Sequence, residues 1–550
     1  MDNHETRYCI GIDLGTTNTT AAYLDASTGV VNPVDLTIMQ KGKGPSLPST
    51  ILPSIMYRTK DDKEVVGNEA YDKKKNSIES QDAEIRYLEN TKRDIGTKQS
   101  YTIGDKVYTP IDVATLILQH VKNYSQINRI KGEYDTVITV PANFRTDQRN
   151  DTLEAAKRAG LKNVELYDEP KAAIISFLHE ESQKIAGQVL DLSSKKRILV
   201  IDIGGGTCDI CVEDVEQRDD QYVFAHKAVG RDDLGGIDFD RLIGDELAKK
   251  YLHNVSLTQK DVAVLRDIGQ KIKETISTDI NYYISDPDGF NGDETALFNK
   301  PDWLDILEKQ GFECSIYGEV AGESYNFSMT VREFFNAIMP LIYKLDDGVI
   351  ANKDVKEHNK NMQSLIASTL SDYDIDLKDV DLIFMTGGMA KCFVLRAALF
   401  GMYKKPIVSP SDPFLAVSRG ASLTKKYKNI DESSKDLMPN AIMMEMEDGR
   451  LETLVECGEQ IPVTKTVNRT FLTKSRNGLA IGLFEGQSEF DSNLRKINNL
   501  YLIEYDSPKE IGREFTIKYT VDRTKRISFL ISFLDDANET YLINGKVSEE

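Results

Sequence analysis

The chain has 550 residues, with 68 Lys and Arg against 88 Asp and Glu, a formal net charge of -20 and a pI near 5.0. So acidic a surface excludes nucleic acid or an anionic membrane as the main partner. The length exceeds what one hydrophobic core organises, which predicts at least two domains, and 40% hydrophobic with 28% charged residues is the composition of a globular chain. Six cysteines over this length fit a reducing compartment, not a disulfide scaffold. No signal-peptide pattern and no bilayer-length apolar run is present, so the expected location is cytoplasmic, with no membrane partner.

In chain order, YCIGIDLGTTNTTAAYLD (8–25) reads as a buried strand that ends in Ile-Asp, turns through glycine and threonine, and resumes as an alternating strand. A basic helical segment follows at YDKKKNSIES (71–80), then the strand of DTVITVPANF (135–144) and a helix over 145–161 capped at Gly160. VELYDEPKAAIISFLHE (164–180) reads as a short strand, a turn at Glu169-Pro170 and a helix. The polar stretch 181–196 closes this α/β lobe, about residues 1–195.

A second lobe, about 196–427, opens with ILVIDIGGGTCDICVED (198–214), which repeats the first hairpin. Cys208 and Cys211 lie in its second strand, where residues three apart face opposite sides, so they are expected to pack and not to form a metal or redox pair. DLGGIDFDRLIGDELAKKYL (233–252) is a glycine turn feeding an amphipathic helix, and Val264, Ile268 and Ile272 mark another. Residues 285–327, with Trp303, read as an irregular surface elaboration. DLIFMTGGMAKC (381–392) adds a third strand-glycine unit. KNIDESSKD, within the linker 428–438, predicts an exposed connector, and alternation such as Phe515, Ile517, Tyr519 and Val521 predicts a separate all-β domain over 439–550.

The duplicated hairpins carry the chemistry. Glycine lets the backbone approach a ligand, so amide N–H groups and a threonine hydroxyl can surround phosphate oxygens. Asp13 and Asp202 would repel a polyphosphate directly, but each can hold waters of a hydrated Mg2+ bridging its oxygens. The expectation is a nucleotide clamped between two lobes.

GIDLGTTN, VPANF, DEPKAA, IDIGGGTCD, LGGIDFD and MTGGMAK, in this order, resemble the seventy-kilodalton heat-shock (DnaK-like) chaperone family over almost the whole chain. The resemblance implies an α/β, two-lobed actin-like ATPase domain followed by a β-sandwich that binds unfolded or extended polypeptide, in a monomer that binds ATP or ADP with Mg2+ and hydrolyses ATP slowly. It places Asp13, Asp202 and Glu169 at the metal; Gly15, Thr16, Thr17 and Asn18 in one phosphate loop; and Gly204, Gly205, Gly206 and Thr207 in the other. Asp209 would orient or deprotonate the attacking water and Lys92 would reach the γ-phosphate. Lys273, Ser277, Gly387, Gly388 and Lys391 would hold the nucleoside, while Pro141 and Arg149 would relay nucleotide state. A J-domain cochaperone and a nucleotide exchange factor are the implied partners.

Four departures stand out. Glu274 replaces an arginine that stacks on adenine, and Phe414 replaces an aspartate of the adenosine pocket, which predicts weaker nucleotide binding. DESSK (431–435) replaces a leucine-rich linker, which predicts weaker interdomain coupling. Only KVSEE follows Gly545 where the family has a helical lid. A non-folding regulatory cochaperone that binds ATP without a client cycle and an actin-like filament protein are the alternative readings.

Overall fold

The computed structural model describes residues 8–25, 33–40, 47–79, 84–130, 133–184, 190–218, 221–286, 290, 292–343, 361–427, 436–491, 494–497, 501–505, 507–536 and 538–544. The first predicted hairpin is β1 (Tyr8–Leu14) and β2 (Asn18–Asp25). Parallel strands β3 (Asp135–Val140) and β4 (Val164–Asp168) extend it in the order β4-β3-β1-β2, within a sheet that has six strands among the described residues. Helix α1 (Thr146–Arg158) makes the crossover from β3 to β4, and α2 (Glu169–Ser182) leaves directly from β4. Ile10 and Ile12 on one face of β1 are wholly buried and Cys9 on the other is 6% exposed, as a central strand covered on both faces requires.

The second lobe repeats this plan. Strands β5 (Lys196–Ile203), β6 (Cys208–Arg218) and β7 (Gln221–Asp232) run antiparallel, and β8 (Leu382–Thr386) and β9 (Ile407–Val408) lie parallel beside β5, giving β7-β6-β5-β8-β9. Between β7 and β8 come α3 (Gly236–Tyr251) and α4 (Gln259–Ser285). The crossover from β8 to β9 is α5 (Phe393–Tyr403), and α6 (Ala416–Leu423) follows. In α4, Leu265, Ile268, Ile272, Ile276 and Ile280 return every three or four residues and are buried in the lobe core. The repeat seen in sequence is thus a repeat of topology, the two-lobed actin-like plan.

Helix α6 joins the lobes by packing against both β1 and α2. A Cβ on Gly420 would sit 1.7 Å from the Ala172 carbonyl oxygen, and one on Gly11 would sit 2.2 Å from that of Ser418. Any larger residue at either position would force the lobes apart.

Two local expectations need correction. Residues 285–327 are not irregular: helices span Glu294–Phe298 and Trp303–Lys309, and a hairpin joins Glu313–Val320 to Glu323–Thr330. Its turn uses Ala321 and Gly322 at φ 53° and 82°, and Trp303 packs edge-on against Phe335 and Phe393. Asp, Gly and Asn dominate this segment and mask its short apolar repeats. No turn separates β4 from α2, because Glu169 is already helical and Pro170 in the first turn lacks only an N–H that has no intrahelical partner there. Cys208 and Cys211 are buried in different apolar clusters, on opposite faces of β6.

The C-terminal region is β-rich. Its sheets enclose one core running from Met438 to Ile543, and in the strand Glu514–Val521 the side chains of Phe515, Ile517, Tyr519 and Val521 point inward. The connector residues 428–435 lie outside the described residues. Asp436, expected to be exposed, is instead 14% exposed at its side chain and paired with the Lys171 ammonium of α2. Met438 is 1% exposed.

Two further polar contacts tie this β module to the first lobe. Lys525, at φ 65° in the turn after Glu514–Val521, donates to the Ala142 carbonyl (2.7 Å) and to Asp168 Oδ2 (3.1 Å). Arg149 donates to Asp168 Oδ1 at 2.7 Å, so one carboxylate at the end of β4 serves two cations. Burial alone would push Asp168 up, but Lys525, Arg149 and Lys171 together hold its carboxyl well below the usual range. Glu485 accepts from the Thr146 backbone N–H (2.9 Å) and so caps α1 from across the interface. Replacing Asp168 with Ala leaves two buried cations unpaired and should destabilise the protein by about 3–5 kcal/mol in a denaturant titration; Asp168→Asn, which retains a hydrogen-bond acceptor, should lose less.

Candidate functional site

The two hairpins face each other across a cleft of about 570 Å³ between the lobes. Asp13 closes β1 and Asp202 lies near the end of β5, so the repeat brings the two carboxylates in from opposite sides. Gly15, Thr16, Thr17 and Asn18 line the cleft from one hairpin, and Gly204, Gly205 and Thr207 from the other. Gly206 packs behind these residues: a Cβ there would lie 2.0 Å from the Arg93 guanidinium, and a Cβ on Gly235 would lie 2.4 Å from the Gly206 backbone. The Gly206 carbonyl accepts from Arg93. Gly235 is needed there for close packing of backbone on backbone.

Glu169, at the start of α2, and Lys92, from the short 3-10 helix Thr91–Asp94, meet in an ion pair of 2.7 Å, their side chains only 10% and 11% exposed. Thr139 donates to Asp13 Oδ1 at 3.4 Å, and Thr207 donates to Asp209 Oδ2 at 3.3 Å. Four carboxylates therefore converge on one buried region. Burial and the Glu169 charge push Asp13 up to about 7, against the pull of Lys92. Asp202 stands well above the usual range through burial, Glu169, Asp209 and Asp13. Asp209 rises to about 6 by burial, opposed by Arg231. A hard divalent cation held through water or carboxylate oxygens fits this surplus of negative charge.

At the other end of the cleft, Lys273 and Ser277 of α4 face Gly387, Gly388 and Lys391 of the turn after β8. Lys273 is paired with Asp240 of α3 at 2.6 Å, and the Ser277 hydroxyl is buried without a hydrogen-bond partner. Pro141 lines the cleft at the end of β3, whereas Arg149 lies behind it on Asp168. Two arginines escaped the motif reading. Arg231 lines the cleft 3.8 Å from Asp209 Oδ1 and over the Phe144 ring, and Arg93 braces Gly206. Neither lies in a glycine-rich motif; only its neighbours in space reveal it.

Outside the cleft, Cys211, Glu213 and His226 cluster in the second lobe, all buried. His226 Nδ1 and Glu213 Oε1 are 2.5 Å apart, a hydrogen-bond separation, so these donors close on each other and not around an ion. No helix among the described residues is long and apolar enough to cross a membrane.

Because the folded protein holds protons on Asp13 and Asp209 that the unfolded chain releases near pH 4, its stability without metal or nucleotide must fall as pH rises from about 4 to about 7. Thermal melts should give a lower Tm at pH 7.5 than at pH 5.5. Asp13→Asn should flatten that slope, and Mg2+ with ATP should raise Tm most at the higher pH.

A family model described as "Hsp70 protein" matches residues 59–287. The chain is 25% identical over 493 residues to the chaperone protein DnaK of Thermotoga petrophila, covering 87% of this chain and 70% of that protein. It is 24% identical over 558 residues to the DnaK of Thermosipho melanesiensis, covering 99% and 81%. It is 26% identical over 530 residues to the mitochondrial iron-sulfur cluster biogenesis chaperone of Saccharomyces cerevisiae, covering 90% and 71%. With the doubled topology and the paired hairpins already in place, these matches make the chain similar to the Hsp70/DnaK-like family over most of its length.

Proposed function

We propose that the protein is an ATP-driven chaperone whose cleft binds Mg-ATP and hydrolyses it slowly, with the β module engaging extended polypeptide. The observation that carries this reading is the buried convergence of Asp13, Asp202, Asp209 and Glu169 beside Lys92, between two glycine-threonine turns. Such a cluster suits a cation and a polyphosphate better than any neutral ligand. Mg2+, held by Asp13, Asp202 and Glu169, would neutralise phosphate charge. Backbone N–H groups of Gly15–Thr17 and Gly204–Gly205, with the Thr207 hydroxyl, surround phosphate oxygens. Asp209, poised near neutrality by burial, orients the attacking water and accepts its proton. Lys92 stabilises charge that grows on the γ-phosphoryl group during transfer.

The β module can sense this chemistry through charge. Glu169, in the cleft, is adjacent in sequence to Asp168, which holds both Arg149 and Lys525; Lys171, two residues on, holds Asp436 of the connector. Cleft and β module thus share the first turn of α2. That is a contiguous physical route, and it substitutes ion pairs for the apolar linker contact that the sequence lacks. ATP and ADP would bias the pairing differently through Glu169, and extended polypeptide would bias it from the other side.

Lys92→Ala should retain ATP binding and lose about 10²-fold or more of turnover. Equal single-turnover rates for the variant and the wild type would refute its role. Asp436→Ala should leave basal turnover near wild type and abolish its stimulation by an extended apolar peptide. Stimulation that survives this change would place the coupling elsewhere.

A further inference from the structure

We propose that the base end of the cleft binds an aminopurine by stacking it on Phe414 and reading its exocyclic amine with Glu274. This rests on the nucleotide reading above and departs from the weaker binding that these two residues suggest in the sequence.

Phe414 lines the cleft, and its ring is seated on Gly388, where a Cβ would come within 2.9 Å of Cε1 and 3.1 Å of Cζ. The Phe414 backbone is anchored at both its carbonyl and its N–H. Thr20 donates to the Phe414 carbonyl at 3.4 Å, and the Phe414 N–H donates to Asp412 Oδ1 at 3.2 Å. The same carboxylate oxygen lies 3.1 Å from the Lys391 ammonium, which sits over the ring at 4.5 Å from its centre. Asp412 therefore fixes an aromatic platform and a cation together. Lys391 is 45% exposed at its side chain, so it can swing toward solvent on its flexible stem and yield the ring face to a larger π system.

The facing wall is one side of α4: Gln270, Glu274, Thr278 and Asn281, spaced by four, four and three residues. Its donors are already engaged. Gln270 Nε2 donates to Glu274 Oε1 at 2.8 Å, the Thr278 hydroxyl to the Glu274 carbonyl at 2.8 Å, and Asn281 Nδ2 to the Lys391 carbonyl at 2.8 Å. What this wall presents to a base is the Glu274 carboxylate, an acceptor in its ionised form. A ring amine satisfies it, whereas a ring carbonyl would face it with like polarity.

The test is equilibrium binding of Mg-ATP and Mg-ITP to the full-length protein, with Mg-tripolyphosphate as a competitor that lacks a base. ITP should bind roughly 10-fold more weakly than ATP. Phe414→Leu, which keeps apolar bulk without the ring, should weaken ATP by roughly 10-fold, and Phe414→Tyr should stay within about twofold of wild type. Tripolyphosphate affinity should be unchanged in both variants, which separates loss of stacking from loss of fold. ATP binding by Phe414→Leu equal to wild type, or equal affinity for ITP and ATP, would overturn the inference. Failure of the wild type to bind any triphosphate would overturn the nucleotide reading itself.

Discussion

Four buried carboxylates with a single lysine in contact are an unstable arrangement unless something positive joins them. Asp13, Asp202, Asp209 and Glu169 are drawn from both lobes, and the three aspartates respond by binding protons more tightly than usual, Asp13 up to about 7 and Asp209 up to about 6. The fold maintains this strain by rigid means. Each aspartate sits within or beside the central strands of its sheet, and the lobes are locked where α6 crosses β1 and α2 through glycine contacts too close for any side chain. A cation and a polyphosphate would relieve the repulsion, and occupancy of the cleft would then be linked by electrostatics to stability of the lobe interface.

The same economy of charge extends to the β module. In place of an apolar strap, the junction of β4 and α2 presents Glu169 to the cleft, Asp168 to Lys525 and Arg149, and Lys171 to Asp436. Buried pairs of this kind add little net stability compared with apolar packing, but they penalise misregistered docking heavily, because each partner left alone is a desolvated charge. They suit a contact that must form in one geometry and release as a unit. Glu485 adds to this by capping α1 with a residue from the other side of the interface.

Much of the fold was legible. The two strand-Asp-Gly-Thr units carry a strong local signal, since apolar strand, glycine turn and alternating strand are all decided by near neighbours. The all-β character beyond Asp436 was equally clear from alternation such as Phe515, Ile517, Tyr519 and Val521. Less legible were the helices and hairpin of 294–330, whose short apolar repeats are diluted by acidic and amide residues, and Arg231 and Arg93, which belong to no motif. Nor does any motif record that Arg93 packs against Gly206, or that Gly235 lies on the Gly206 backbone.

What the sequence alone determined, then, was the repeated hairpin with its two aspartates and the change from α/β to all-β, because these follow from local periodicity and turn chemistry. Only the tertiary structure decided that Asp436 is buried against Lys171, that Lys391 sits over the Phe414 ring and pairs with Asp412, and that Asp168 serves two cations at once. Those outcomes depend on which charges and rings meet after the chain has folded, across separations of up to 357 residues between Asp168 and Lys525. No local pattern records such meetings, since the free energy of a buried charge is set by its partners and not by its neighbours in the chain.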